Sequence, residues 1–207
     1  IYSEEIDAFT PGEIKLLKDL AHDLAFGVRN LRARREKKEN FEKMEKSLET
    51  TVLAIATTLE IRDPYTAGHQ RQVAQLAGAI AREMGFDDDT VKGIFIASTL
   101  HDIGKIWVPA EILSRPGKLT AAEMDIIRTH SEVGYNIIKD IEFPWPVARM
   151  VLEHHERMNG SAYPSKLMGE NIHMGARIIC VADVVESMAA HRPYRPAPGI
   201  EIALGEI

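Results

Sequence analysis

Along most of this chain apolar residues recur at steps of three and four, and no apolar–polar alternation runs far enough to suggest a sheet. A helix turns once in 3.6 residues, so this spacing lines one helical face, whereas a strand needs a period of two. The pattern predicts an all-α fold. Its longest stretch covers about 10–60. Thr10-Pro11-Gly12-Glu13 supplies a cap, a proline suited to a first turn and an early acid. Ile14, Leu17, Ala21, Leu24, Val28 and Leu31 then form a seam of alternating three- and four-residue steps. A charged run over 32–40 interrupts the seam and reads as a solvated connector. The seam resumes with Phe41, Met44, Leu48, Val52, Ile55 and Leu59. A long helix with such a stripe needs a partner surface, so a parallel homodimer through this segment is expected.

The second region, 61–207, reads as the compact domain. Helical spacing covers 72–84, 89–101, 121–139, 147–156 and 176–189, with breakers at Arg115-Pro116-Gly117, Phe143-Pro144-Trp145-Pro146 and 159–164. The stretch from Arg192 is proline-rich and then helical in pattern. Because the chain opens on Ile1 and stops at Ile207, it reads as a piece of a longer protein with a truncated C-terminus.

At 207 residues and 45% hydrophobic content, the chain can bury one substantial core. A net charge of −6 argues against binding a nucleic-acid polymer, which needs a basic footprint, though local Arg and Lys can still serve a small anion. The single cysteine, Cys180, excludes an intrachain disulfide, sits in the apolar run 178–182 as core filler, and fits a reducing, cytoplasmic setting. No run approaches the ~18 apolar residues of a membrane span, and no signal-peptide pattern opens the chain.

Histidines and acids cluster beside special residues in the compact region. His101-Asp102-Ile103-Gly104-Lys105 closes an apolar helix. Lys105 would share a face with His101 and Asp102 if that helix continued, and Gly104 would admit close approach of backbone or ligand. His154-His155-Glu156 precedes Asn159-Gly160-Ser161-Ala162-Tyr163-Pro164. Adjacent histidines on a helix diverge by ~100°, so both reach metal only if metals lie in more than one direction. His69 follows a turn-like stretch, His130 lies within the 121–139 helix, and Asp183 stands mid-helix among apolar neighbours, costly unless paired or metal-bound. His22, His173 and His191 read as ordinary surface or hydrogen-bonded residues. Spacing alone leaves metal site and ordinary histidines evenly weighed.

At these residues the sequence resembles a known family. Asp63-Pro64-Tyr65-Thr66-Ala67-Gly68-His69 and His101-Asp102-Ile103-Gly104-Lys105 are similar to the HD superfamily of metal-dependent phosphohydrolases. The 112–120 run with Glu123, His130 with Gly134, the 154–164 run, Ala182-Asp183 and Arg192-Pro193-Tyr194-Arg195 extend the resemblance to the HD-GYP subfamily over about 60–205. Residues 5–31 resemble the last helix of a GAF-type sensor domain.

The resemblance implies an all-helical metal-dependent phosphodiesterase acting on cyclic di-GMP. His69, His101, Asp102 and Asp183 would hold one metal, Asp102 would bridge to a second, and His130 and His154 would complete it. His155 matches a position serving a third metal in members that also carry a glutamate four places before the first histidine. Here that place is Tyr65, so two metals are expected, iron or manganese, with zinc, nickel or cobalt also compatible. Asp102 and Lys105 would be catalytic; Lys105, Tyr163, Arg192 and Arg195 would bind the substrate, giving pGpG, with further cleavage to GMP left open by the sequence. A diguanylate cyclase is an expected partner. One departure stands out: the signature Gly-Tyr-Pro reads Ala162-Tyr163-Pro164. A positive φ at Ala162 would strain the loop by ~1–2 kcal/mol. A catalytically weak module that only binds cyclic di-GMP or a cyclase is the alternative.

Overall fold

The computed structural model describes residues 9–62, 68–115, 117–189 and 199–206. Among these the regular structure is helical, and the one strand-like pairing is an isolated bridge between Asn159 and Met168. The chain forms two compact units, Ile1–Leu48 and Glu49–Ile207.

Helix α1 runs Pro11–Arg62. At its start Thr10 and Glu13 cap each other. The Thr10 backbone N–H donates to Glu13 Oε2 at 2.8 Å, and the Glu13 N–H donates to Thr10 Oγ1 at 3.3 Å. In the first unit the seam residues Ile14, Leu24, Val28, Leu31, Phe41, Met44 and Leu48 are all exposed. The charged run carries the ion pairs Arg35–Glu39 and Lys38–Glu42 on its surface. Pairs of this kind stabilise a helix by only about 0.3–0.5 kcal/mol each.

In the second unit the end of α1 buries Val52, Ala56 and Leu59. Then follow α2 (His69–Glu83), α3 (Asp88–Leu100), a 3-10 turn (Ile103–Trp107) and the short α4 (Ala110–Leu113). After these come α5 (Ala121–Arg128), α6 (His130–Ile138), α7 (Val147–Glu153), a 3-10 turn (Gly169–Asn171), α8 (Met174–Ala189) and α9 (Ile200–Glu206). Helix α2 packs on α3 and α8, α6 lies against α7 and the first 3-10 turn, and α9 lies on α8. Val73, Ala77, Ile94, Leu100, Ile138, Met150, Val151 and Ile179 meet in one core. Each large member stabilises the fold by roughly 1.5–3 kcal/mol through removal from water. No helix among the described residues is long and apolar enough to cross a membrane.

Two local readings need correction. The 121–139 segment is not one helix: it breaks at Thr129, whose hydroxyl donates to the Ile126 carbonyl at 2.7 Å. Apolar spacing carries through the break, which is why the pattern hid it. His130 is therefore the first residue of α6, not an interior one. The helix ending at His101 does not continue either, and Lys105 lies in the 3-10 turn.

Candidate metal centre

The seven histidines and aspartates singled out in the sequence come from five segments, and most sit where helices end. His69 opens α2, His101 caps α3, Asp102 precedes the 3-10 turn, His130 opens α6, His154 caps α7 with His155 next, and Asp183 projects from α8. Helix ends leave backbone carbonyls without intrahelical donors. Three histidines use them alike. His101 Nδ1 meets the Ser98 carbonyl at 2.6 Å, His130 Nδ1 that of Ile127 at 2.7 Å, and His154 Nδ1 that of Val151 at 2.6 Å. A carbonyl only accepts, so each Nδ1 carries its proton towards the backbone and each ring turns its Nε2 the other way, where the atom is free to serve as a ligand.

Those Nε2 atoms converge. His130 Nε2 and His154 Nε2 lie 3.2 Å apart, and His101 Nε2 is buried without any hydrogen-bond partner. Two acceptors facing each other and a third left unsatisfied are costly in a dry interior. A cation between them removes the cost, so the donor set fits metal. The Asp102 carboxylate spans the gap, with Oδ2 3.4 Å from His101 Nε2 and Oδ1 3.5 Å from His130 Nε2. On the other side His69 Nε2 lies 3.2 Å from Asp183 Oδ1.

Three overlapping groups have ligand atoms within 4.8 Å of one another: His69, His101 and Asp183; His101, Asp102 and His154; His130, His154 and His155. His155 thus stands beside His130 and His154, and its ring also lies against Tyr163. Tyr65, Arg192 and Arg195 lie outside the described residues.

The electrostatics suit a cation. Burial, joined by neighbouring imidazoles, pushes His154 well below the ordinary histidine value and His155 down to about 3, and it lowers His130. Burial would raise Asp102, but the Lys105 ammonium foremost among the neighbouring positive charges outweighs it and holds the carboxyl well below the ordinary value. Asp183 is likewise lowered, its burial outweighed by His69 and its neighbours. His69 differs: burial pushes it down, yet hydrogen bonds to Asp183 and Glu186 prevail and raise it to about 9.

Several supporting contacts, and the residues Glu186, Glu153, Glu60 and Arg62, escaped the sequence reading. Glu186, three places beyond Asp183 on α8, contacts His69 Nδ1; that spacing was the available signal. Buried Glu156 accepts from the Ser165 N–H at 2.6 Å and the Leu167 N–H at 3.0 Å, tying down the 160–167 loop. Buried Glu153 accepts from the His173 N–H at 2.6 Å. The last turn of α1 grips both approaches to the centre. Glu60 accepts from the Gly68 N–H just before His69, and Arg62 donates to the carbonyls of Ile106, at 2.6 Å, and Val108. Lys105 Nζ donates to Asp102 Oδ2 at 2.7 Å.

Gly104 admits backbone, not ligand. A Cβ there would lie 1.9 Å from the His130 carbonyl oxygen and 2.6 Å from the Gly134 nitrogen. The turn bearing Asp102 and Lys105 therefore presses directly on the helix bearing His130. Ala162 is not among the positive-φ residues, so it fits the loop without the strain considered from sequence.

Comparison with known proteins agrees with this geometry. The HD domain family model matches residues 53–207, and the chain belongs to that family. It is 38% identical over 156 residues to the cyclic di-GMP phosphodiesterase response regulator RpfG of Xanthomonas campestris, covering 74% of this chain and 41% of that protein. It is 40% identical over 159 residues to a cyclic di-GMP phosphodiesterase of Thermotoga maritima, covering 75% and 43%. It is also 38% identical over 157 residues to 3'3'-cGAMP-specific phosphodiesterase 3 of Vibrio cholerae, covering 76% and 34%. The chain therefore spans less than half the length of each of these relatives. The fold matches the HD domain of Listeria monocytogenes phosphodiesterase PgpH, solved with cyclic-di-AMP, at a TM-score of 0.54 and 22% identity over 73% of this chain and 81% of that one. It also matches the Vibrio cholerae phosphodiesterase V-cGAP3 at 0.56 and 17%, over 75% and 42%.

Proposed function

We propose that this chain is the phosphodiesterase module of a longer signalling protein, that it holds two divalent ions and that it linearises cyclic di-GMP. The observation that carries this reading is the inward convergence of the three Nε2 atoms of His101, His130 and His154 on the ionised Asp102. When bound, the ions would supply Lewis acidity and lower the pKa of a water. His69, His101, Asp102 and Asp183 are assigned to one ion, and Asp102, His130 and His154 to the second, with His155 beside it. Iron or manganese suits this mixed imidazole and carboxylate set.

The protein's own groups do the rest. Asp102, between the two histidine sets, fixes their separation. Lys105, bonded to Asp102 and partly exposed, offers positive charge to a phosphate oxygen. Tyr163, its hydroxyl kept neutral by burial and the nearby carboxylates, closes one wall. Water would add to phosphorus and the bond to the 3′ oxygen would break, leaving the 5′-phosphate of pGpG. The exposed α1 seam supports a homodimer through the first unit. The non-catalytic alternative rested partly on Ala162, and that support falls away with its unstrained φ.

The test is turnover of cyclic di-GMP by anaerobically prepared, manganese- or iron-loaded protein. Asp102→Ala should abolish turnover while helix content is kept. Normal turnover by that variant would sink the mechanism.

A further inference from the structure

An aromatic ladder leads out of the centre and ends on a cation. The His154 and His155 rings lie 4.0 Å apart, and the Tyr163 ring follows, 4.8 Å from His155 and tilted by 36°. The guanidinium carbon of Arg128 sits 5.8 Å from the Tyr163 centroid. Arg128 is the last residue of α5, two places before His130. The break at Thr129 therefore sets His130 inward and Arg128 at the rim in one step.

Arg128 is half-exposed, and its Nη1 donates to Asp125 Oδ1 at 2.9 Å. A guanidinium has five N–H donors in a planar fork, so one bond to Asp125 and a ring face leave donors over. Ring and carboxylate hold the fork in place before any ligand arrives, which lowers the ordering cost of binding. The ligand such a fork suits is a phosphate.

A cyclic dinucleotide carries two phosphates in one ring. The metal-binding residues and Lys105 would serve the one being cleaved. The other needs a cation further out. We propose that Arg128, held over Tyr163, is a substrate-binding residue that takes the uncleaved phosphate of a cyclic dinucleotide. This rests on the functional reading above and adds a residue to it. It stands beside the expectation that Arg192 and Arg195, outside the described residues, also bind the substrate.

The experiment compares wild type, Arg128→Ala and Arg128→Lys as metal-loaded protein on three substrates: cyclic di-GMP, 3'3'-cGAMP and bis(p-nitrophenyl) phosphate. The last has one phosphate and no second site to fill. Arg128→Ala should raise KM for both cyclic dinucleotides by about ten- to a hundredfold, the worth of a charge-assisted contact. Its kcat should stay within about threefold, and its efficiency on the single-phosphate ester should change far less than its KM for the dinucleotides. Arg128→Lys should recover part of the loss, as a point charge without the fork. Equal losses on all three substrates would make Arg128 a strut for Tyr163 and overturn the proposal. So would no loss on any, or a loss confined to one dinucleotide, which would indicate reading of a base. A wild type that cleaves the ester and neither dinucleotide refutes the functional reading itself, and the role of Arg128 falls with it.

Discussion

Replacing Gly104 with alanine should damage stability and the proposed metal centre together. The new Cβ would lie 1.9 Å from the His130 oxygen, 2.6 Å from the Gly134 nitrogen and 2.7 Å from the His130 carbonyl carbon. All three are backbone atoms, so no side chain can swing aside. Ordinary contact requires roughly 3.5 Å, and the 3-10 turn must retreat from α6 by more than 1 Å. Overpacking of this kind costs about 1–3 kcal/mol, and clashes with fixed backbone put this one at the upper end. That is a large part of the ~5–15 kcal/mol that holds a domain of this type. The retreat also carries Asp102 away from His130, now 3.5 Å apart. Urea unfolding followed by competitive metal titration reads both effects. Gly134→Ala is the internal comparison. Its Cβ would meet mainly the side chains of Val151 at 3.0 Å and Ile103 at 3.3 Å, which can yield. It should cost about 1 kcal/mol. A Gly104→Ala protein with wild-type stability and metal affinity would refute the reasoning.

Two further outcomes are expected. Glu156→Ala removes the acceptor for the Ser165 and Leu167 N–H groups, leaving two donors in a partly buried loop. It should lose about 2–3 kcal/mol in urea unfolding and raise KM, because Tyr163 rides on that loop; a neutral result on both readouts would remove Glu156 as its anchor. The pH dependence of metal binding should follow His69. With its value raised to about 9, the metal-free ring holds a proton at pH 7, which stabilises the metal-free fold below the unfolded value and is lost as pH climbs through 9. Metal must displace that proton, so affinity should rise by up to tenfold per pH unit until about 9 and then level off. Calorimetry in buffers of different ionisation enthalpy counts the protons released, and a pH-independent affinity would contradict the charge state given for His69.

How much of this was legible in the sequence divides along physical lines. Helix existence came through because apolar spacing is a local property: the observed α2, α3, α7 and α8 overlie the segments read from pattern. The break at Thr129 did not, because a side-chain hydroxyl bonded to a carbonyl leaves no trace in apolar spacing. The metal-binding candidates were legible as residue types beside glycines and prolines. Their convergence was not, since it depends on how five segments meet in space. Glu186, Arg62 and Arg128 act on residues far along the chain, in the case of Glu186 on His69, and only the packed structure pairs them. Gly104 was legible as a place of close approach, while what approaches, the His130 carbonyl, became visible only in three dimensions.

The central claim is that the converged histidines and aspartates hold a pair of ions, and counting bound metal tests it most directly. Protein purified without oxygen and titrated with manganese or ferrous iron should bind two ions per chain. His101→Ala, which deletes the one orphaned Nε2 among the described residues, should bind fewer while keeping its helices. A chain that folds fully and takes up no divalent metal, or a His101→Ala variant that still binds the wild-type number with wild-type affinity, would contradict it.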